Sequence, residues 1–360
     1  MECRGRSVPV DPGMLRIGHG DRLQHPAGFS SAHRGRLCSE RQLPAWTDLP
    51  TDEIPKRLRA SVISNCLSRV QSLVSRVRNK STRREWTSFP SPLYKGGKQK
   101  GFFGFVVVDK RSRAVQDVFS HGLKKVHAAL DFSYDDNSSL ECSLTRLAKI
   151  SLEVFHCQPD RRFFIGISIV GSSALLAVFN RSGMFLSDTF NIHHQPERFV
   201  RLVMGVAFVN RTGLGYDPSV HITPFEGSRG GFVRVNKVSY NIVETIHVSE
   251  TIVGRATLCL KVRRLGRTFV IKNSWLEPEY ATREIDSLSS LREVRGVPEL
   301  VMHEMIRSES GPMDNTAIGI DALMAKGLLD DRKASVILQT SAGATSSSCD
   351  GVIRFTTLGH

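Results

Sequence analysis

The sequence predicts an α+β protein whose two parts are each built on antiparallel strands, and three stretches carry that prediction. The first is a β-meander: FFIGISIV (163–170), ALLAVF (174–179) and MFLSDTF (184–190), separated by Gly171, Ser172 and Ser173 and then by Asn180, Arg181, Ser182 and Gly183. Turn-forming residues between short apolar runs are the signature of hairpins. The second is a pair of amphipathic helices on either side of the meander. One spans 140–155 with Leu144, Leu147 and Val154 on one face. The other is opened by Pro196, with Phe199, Leu202, Val203, Val206 and Val209 inward. The third runs from 246 to 291. It reads as strand, glycine turn, strand, short turn at Leu265–Gly266–Arg267, a strand ending in Lys272, then a helix bearing Glu284.

Taken in order, residues 1–54 are rich in Gly, Pro, Ser, Arg and His with no hydrophobic period, and predict a disordered basic extension. A helix follows from Pro55, with Thr51 or Asp52 as cap. Ile63, Cys66, Leu67 and Val70 share its apolar stripe and arginines lie around it. Two uses stand for such a helix: docking on its own domain, or lying in a partner's groove or on a membrane surface. The rest of 55–100 reads as linker. Residues 101–240 form the α+β unit, with a strand at 102–108, a loop from there to DFSYDDNSS and a connector from 216. The strand-and-glycine-turn part occupies 241–306, and 307–360 reads as a poorly ordered tail.

The net charge of +14 over 360 residues is unevenly placed. Residues 1–100 carry 19 basic and 8 acidic side chains, a net +11, which leaves +3 for the other 260. The arm is therefore either a solvated tail or a contact for nucleic acid or an acidic protein. The seven cysteines (Cys3, Cys38, Cys66, Cys142, Cys157, Cys259 and Cys349) show no C-x-x-C pair, which argues against a disulfide framework or zinc site. No signal-like apolar core opens the chain and no apolar run is long enough to span a membrane, so a cytoplasmic or nuclear location is expected. P-loop and acyl-hydrolase motifs are absent, and His193–His194 lack a third metal ligand.

The third stretch has the order that nucleotide chemistry uses. A glycine turn lets backbone amides approach phosphates, a strand lysine pairs with phosphate oxygens, and a helix acid holds the lysine. Here those are Gly254, Lys272 and Glu284, with Asp286 as the rival acid. Two segments resemble the fungal-type protein kinase family. One is 159–220, with Asn180-Arg181-Ser182-Gly183, Phe199-Val200-Arg201 and Gly215-Tyr216-Asp217-Pro218; the other joins IVGRATLCLKV, FVIKNSW, REIDSLSSL and GVPELV.

The resemblance implies a kinase N-lobe (antiparallel sheet plus αC helix) behind an N-terminal α+β unit. It also implies ATP and Mg²⁺ as cofactors and phosphoryl transfer to protein Ser/Thr. By the same resemblance Gly254, Lys272 and Glu284 are cofactor-binding, and Cys259 stands where the family places an apolar residue over the adenine; core packing explains that cysteine equally well. Two departures stand out. The family's loop reads G-R-G-T where this chain has Ala256, and no H-R-D-x-x-x-x-N or D-F-G of a C-lobe follows. The expectation is a truncated, kinase-like protein that does not transfer phosphate, a pseudokinase. The alternative is a non-catalytic scaffold that uses the basic arm and amphipathic helix.

Overall fold

The computed structural model describes residues 59–78, 83–89, 102–110, 122–133, 139–223, 230–276, 278–306, 335–337 and 351–358. The extension 1–54 and the caps at Thr51 and Asp52 lie outside them.

The chain opens with α1 (Arg59–Arg78), β1 (Arg84–Phe89), β2 (Phe102–Asp109) and β3 (Ala128–Ser133). Next come α2 (Leu140–Cys157), β4 (Phe163–Val170), β5 (Ser173–Asn180), β6 (Gly183–Leu186), β7 (Phe190–Asn191) and α3 (Pro196–Phe208). The strands form one sheet in the order β1-β2-β3-β4-β5-β6, with β7 also on β5. All these pairs are antiparallel except β3–β4, which is parallel with α2 as its crossover. Ser139 caps α2 by accepting the Cys142 amide at 3.1 Å.

Helices cover both faces of this sheet. On one side α1 and α3 bring Ile63, Leu67, Phe199, Leu202 and Val206 onto Ile165, Ile167, Leu176 and Val178. On the other, α2 brings Leu144, Leu147, Ile150, Val154 and Phe155 onto Phe164, Ala177 and Phe179. This double covering explains why β4 and β5 read as unbroken apolar runs: both side-chain sets are buried. The apolar stripe of α1 is thus docked on its own unit. Two segments differ from the sequence reading. The linker at 79–100 contains β1, and the loop that ends in DFSYDDNSS contains β3. β3 is buried at every position yet carries Asp131 and Ser133, because Arg146 and Ser143 from α2 satisfy Asp131 there.

The second sheet takes β8 (Val220–Thr223), β9 (Gly230–Val235), β10 (Val238–Val248), β11 (Leu258–Arg264), β12 (Arg267–Leu276), α4 (Pro278–Ser290) and β13 (Leu300–Met305). Its last strand comes from the tail. β14 (Ser335–Ile337) pairs with β6, and β15 (Gly351–Leu358) inserts between β12 and β13. The order is β13-β15-β12-β11-β10-β9-β8. Two expectations are corrected here. The sheet starts at 220 rather than 241, since the connector holds β8 and β9, and 351–358 is a paired strand rather than poorly ordered tail. Backbone hydrogen bonding explains both: β9 and β15 fill the edges that β10, β12 and β13 would otherwise leave unpaired. The sheet curls around Val233, Val235, Tyr240, Leu260, Val262 and Ile271. At the turn after β9, Asn236 bonds Glu304 and the His303 carbonyl, which brings the two ends of the sheet together.

Gly215, Tyr216 and Asp217 anchor the chain on the first unit just before β8 begins. The Gly215 carbonyl accepts the Arg162 amide and the Asp217 amide reaches the Asp160 carbonyl. The Tyr216 ring lies between the guanidinium groups of Arg161 and Arg211, each 3.8 Å from its centroid. Among the described residues no helix is long and apolar enough to cross a membrane.

Candidate functional site

The site lies on β10, β11, β12 and α4. Toward its end β10 carries two register irregularities against β11, and the chain then turns through 249–257. The Ser249 amide closes this turn on the Thr257 carbonyl at 2.9 Å. Gly254 sits at φ +109° with open space where a Cβ would project, so glycine is required by backbone conformation alone. Ala256 takes φ +40°, a left-handed value that costs an alanine about 1 kcal/mol. Its methyl is buried with Trp275 and Ile306, which offsets that strain. The Trp275 amide donates to the Arg255 carbonyl and so carries the β11–β12 ladder up to the glycine turn.

Lys272 is half-buried on β12, directly opposite Cys259 on β11. Its Nζ forms an ion pair with Glu284 Oε1 on α4. The two side chains are 33% and 25% exposed, so the pair contributes at most about 1 kcal/mol to stability. Its consequence is positional. The lysine cannot fold back along its strand, and its charge stays beside the glycine turn. Burial pushes the Cys259 thiol up, Lys272 draws it down, and Glu284 pushes it up again. Cys259 is therefore a neutral packing group on the floor of the site.

Of the four residues singled out from the sequence, Lys272, Glu284 and Cys259 stand together, and Gly254 lies at the tip of the adjoining turn. Asp286, the rival acid, is exposed and forms no ion pair among the described residues, whereas Glu284 faces the lysine. Helical spacing alone could not separate two acids two positions apart, but the side of α4 that meets the sheet does. The sequence reading missed Trp275 and Ile306, which support Ala256, and the contact that Arg181 makes with the turn. Arg181 was visible only as part of a motif. Among the described residues no three His, Cys, Asp or Glu side chains gather where they could hold a metal ion.

The arrangement can hold an anion: a fixed cation, a glycine turn with backbone amides and an apolar wall. The model of the family described as fungal protein kinase matches residues 103–341. No curated protein and no solved structure matches the chain. The match covers the first sheet from β2 onward, the glycine turn, Lys272 and Glu284 alike, and the chain belongs to the fungal protein kinase family.

Proposed function

We propose that the second sheet is the nucleotide-binding lobe of a kinase-like protein, with α4 in the place of the αC helix and ATP as ligand. The observation that carries this reading is the Lys272–Glu284 ion pair beside the Gly254 turn. Kinases of such a family use ATP with Mg²⁺. The residues present fit the nucleotide: Lys272 would meet phosphate oxygens, Glu284 would hold Lys272, and Cys259 would pack under the base. Bound ATP would supply a transferable phosphoryl group and its magnesium would neutralise phosphate charge. We assign no described residue to the metal.

Transfer to a protein Ser or Thr needs an acid that orients the acceptor hydroxyl, and no H-R-D-x-x-x-x-N or D-F-G occurs within these 360 residues. The proposal is nucleotide binding without transfer by these residues. A ligand that binds only the folded state raises the melting temperature by mass action, by about 2.7 kcal/mol of stability at a hundred times Kd. Titration with ATP and Mg²⁺ should raise the melting temperature of the chain and leave Lys272→Ala unmoved. Equal shifts in both proteins, or no shift with a cooperative melt, would overturn the reading.

A second reading rests on the net +11 of residues 1–100, which suits an acidic protein or nucleic acid. All of that charge lies in 55–100, with 12 basic and 1 acidic side chains against 7 and 7 in 1–54, and since the apolar stripe of α1 is already packed, the reading falls to the basic side chains around it. Salt-sensitive binding weakened by replacing the exposed Arg69 and Arg76 with serine, and indifferent to Lys272→Ala, is its mark.

A further inference from the structure

The turn between β5 and β6 reaches across to the tip of the glycine turn. Asn180 stiffens it by accepting the amides of Ser182 and Gly183 at 2.9 and 3.1 Å. Between them Arg181 is 4% exposed, and its guanidinium lies 4.1 Å from the centroid of the Phe155 ring. Nη1 points at two carbonyls of the glycine turn, Thr251 at 3.3 Å and Ile252 at 3.4 Å. The Arg181 carbonyl in turn accepts the Gly254 amide at 3.1 Å. Ile252 packs against the same apolar cluster that holds Phe155 and Met184.

This cation is unusual in its company. Burial pushes its pKa down to about 10, so it remains charged at neutral pH, and no carboxylate among the described residues offsets the burial. Its Nε finds no hydrogen-bond partner among the described residues. A buried charge held only by carbonyls and a ring is unfavourable for folding. What it does hold is the glycine turn. No peptide here is cis, and a trans peptide carries its N–H opposite its C=O. Fixing the Thr251 and Ile252 carbonyls therefore turns the Ile252 and Val253 amides away from Arg181, while the Gly254 amide turns toward it.

We propose that Arg181 is a positioning residue for nucleotide binding. It latches the tip of the glycine turn into one conformation before phosphate arrives, so that the first unit sets the affinity of the second sheet. In this arrangement the Ile252 and Val253 amides, not that of Gly254, are the donors left for phosphate. The inference rests on the nucleotide reading above and adds a residue about 70 positions upstream of the turn it controls.

Two measurements on the full chain test it together: hydrogen–deuterium exchange across 249–257, and the affinity for ATP with Mg²⁺. The variants are Arg181→Ala, Arg181→Lys and, from the side of the turn, Ile252→Ser. Ordering roughly one residue's worth of backbone corresponds to about tenfold in affinity. Arg181→Ala should exchange faster across the turn and bind nucleotide about tenfold more weakly, while Arg181→Lys recovers part of both. Ile252→Ser should do the same with the arginine intact, which covers the case in which Arg181→Ala fails to fold. Unchanged exchange in both Arg181→Ala and Ile252→Ser would overturn the latch. Faster exchange with unchanged affinity would overturn the positioning role. If the unsubstituted chain binds no nucleotide, the nucleotide reading and the positioning role fall together, and exchange still decides whether the latch exists.

Discussion

Acidification should weaken the fold through one imidazole. His127 is 3% exposed at the start of β3; its Nδ1 lies 2.9 Å from the Tyr216 hydroxyl and its Nε2 3.2 Å from an Asp109 oxygen. Burial is the main reason that its pKa falls to about 4. Arg161 and Arg84 push the same way, and Asp109 opposes them. The folded protein thus keeps the ring neutral where the unfolded chain, near 6.5, takes up a proton. The unfolded state binds more protons between those values, so stability is complete above pH 6.5 and declines as pH falls toward 4. Integrated from pH 7.5 to 4.5, this single group removes about 2–3 kcal/mol. Urea unfolding at the two pH values, for the chain and for His127→Gln, gives the number as a difference of differences. Asp131 and Asp160, raised by burial, also titrate, but they are common to both proteins and cancel. Asp109, held low chiefly by its bond to His127, lies below the window in the unsubstituted chain, and glutamine is chosen because its amide can donate to the same carboxylate. Equal pH dependence in the two proteins would refute the argument. If His127→Gln does not fold, the ring's own titration by NMR decides it, and a midpoint near 6.5 would be fatal.

Four further outcomes follow from named contacts. Gly215→Ala should cost more than about 4 kcal/mol or abolish folding, because at φ +95° its Cβ would stand 2.0 Å from the Phe163 carbonyl oxygen; a soluble protein with an unchanged melt would contradict this. Asp131→Asn should cost about 3–5 kcal/mol by removing the buried carboxylate charge that Arg146 meets with two hydrogen bonds, as read by denaturant midpoint. Leu265→Asn should stabilise by about 0.5–1 kcal/mol, since Leu265 is 85% exposed at φ +48° in a two-residue hairpin turn that favours Asn-Gly. Glu284→Gln should change stability by less than about 1 kcal/mol yet weaken ATP binding, which separates the ion pair's positional effect from a structural one in a single titration.

What the sequence made legible follows from how locally each feature is encoded. The meander was readable because its turns are made of Gly, Ser and Asn and its strands are apolar on both sides; Gly171 and Gly183 duly take positive φ. The pairing of Lys272 with Glu284 was readable because a strand position and a helix position were each fixed by period. By contrast, β3 was lost. It ends in polar residues whose partners, Arg146 and Ser143, lie on a helix that had not yet been placed against it. A buried Asp in a strand reads as loop until its counter-ion is known.

The larger loss was of contacts between distant segments. Nothing in 351–358 tells that it pairs with β12 and β13, because a strand's local pattern specifies that it needs neighbours and not which ones. The same holds for Arg181. Its motif could be read, but not its use, because the carbonyls that it meets are set by the fold of a second sheet. That difference bears on how the two units work together. A glycine turn tied to its own sheet alone would be free to fray at the tip, where hairpins are weakest. Here the tip is held from outside, by a rigid turn on a sheet whose both faces are buried. Rigidity in the first unit is thereby lent to the one part of the second that an incoming phosphate would have to find already in place.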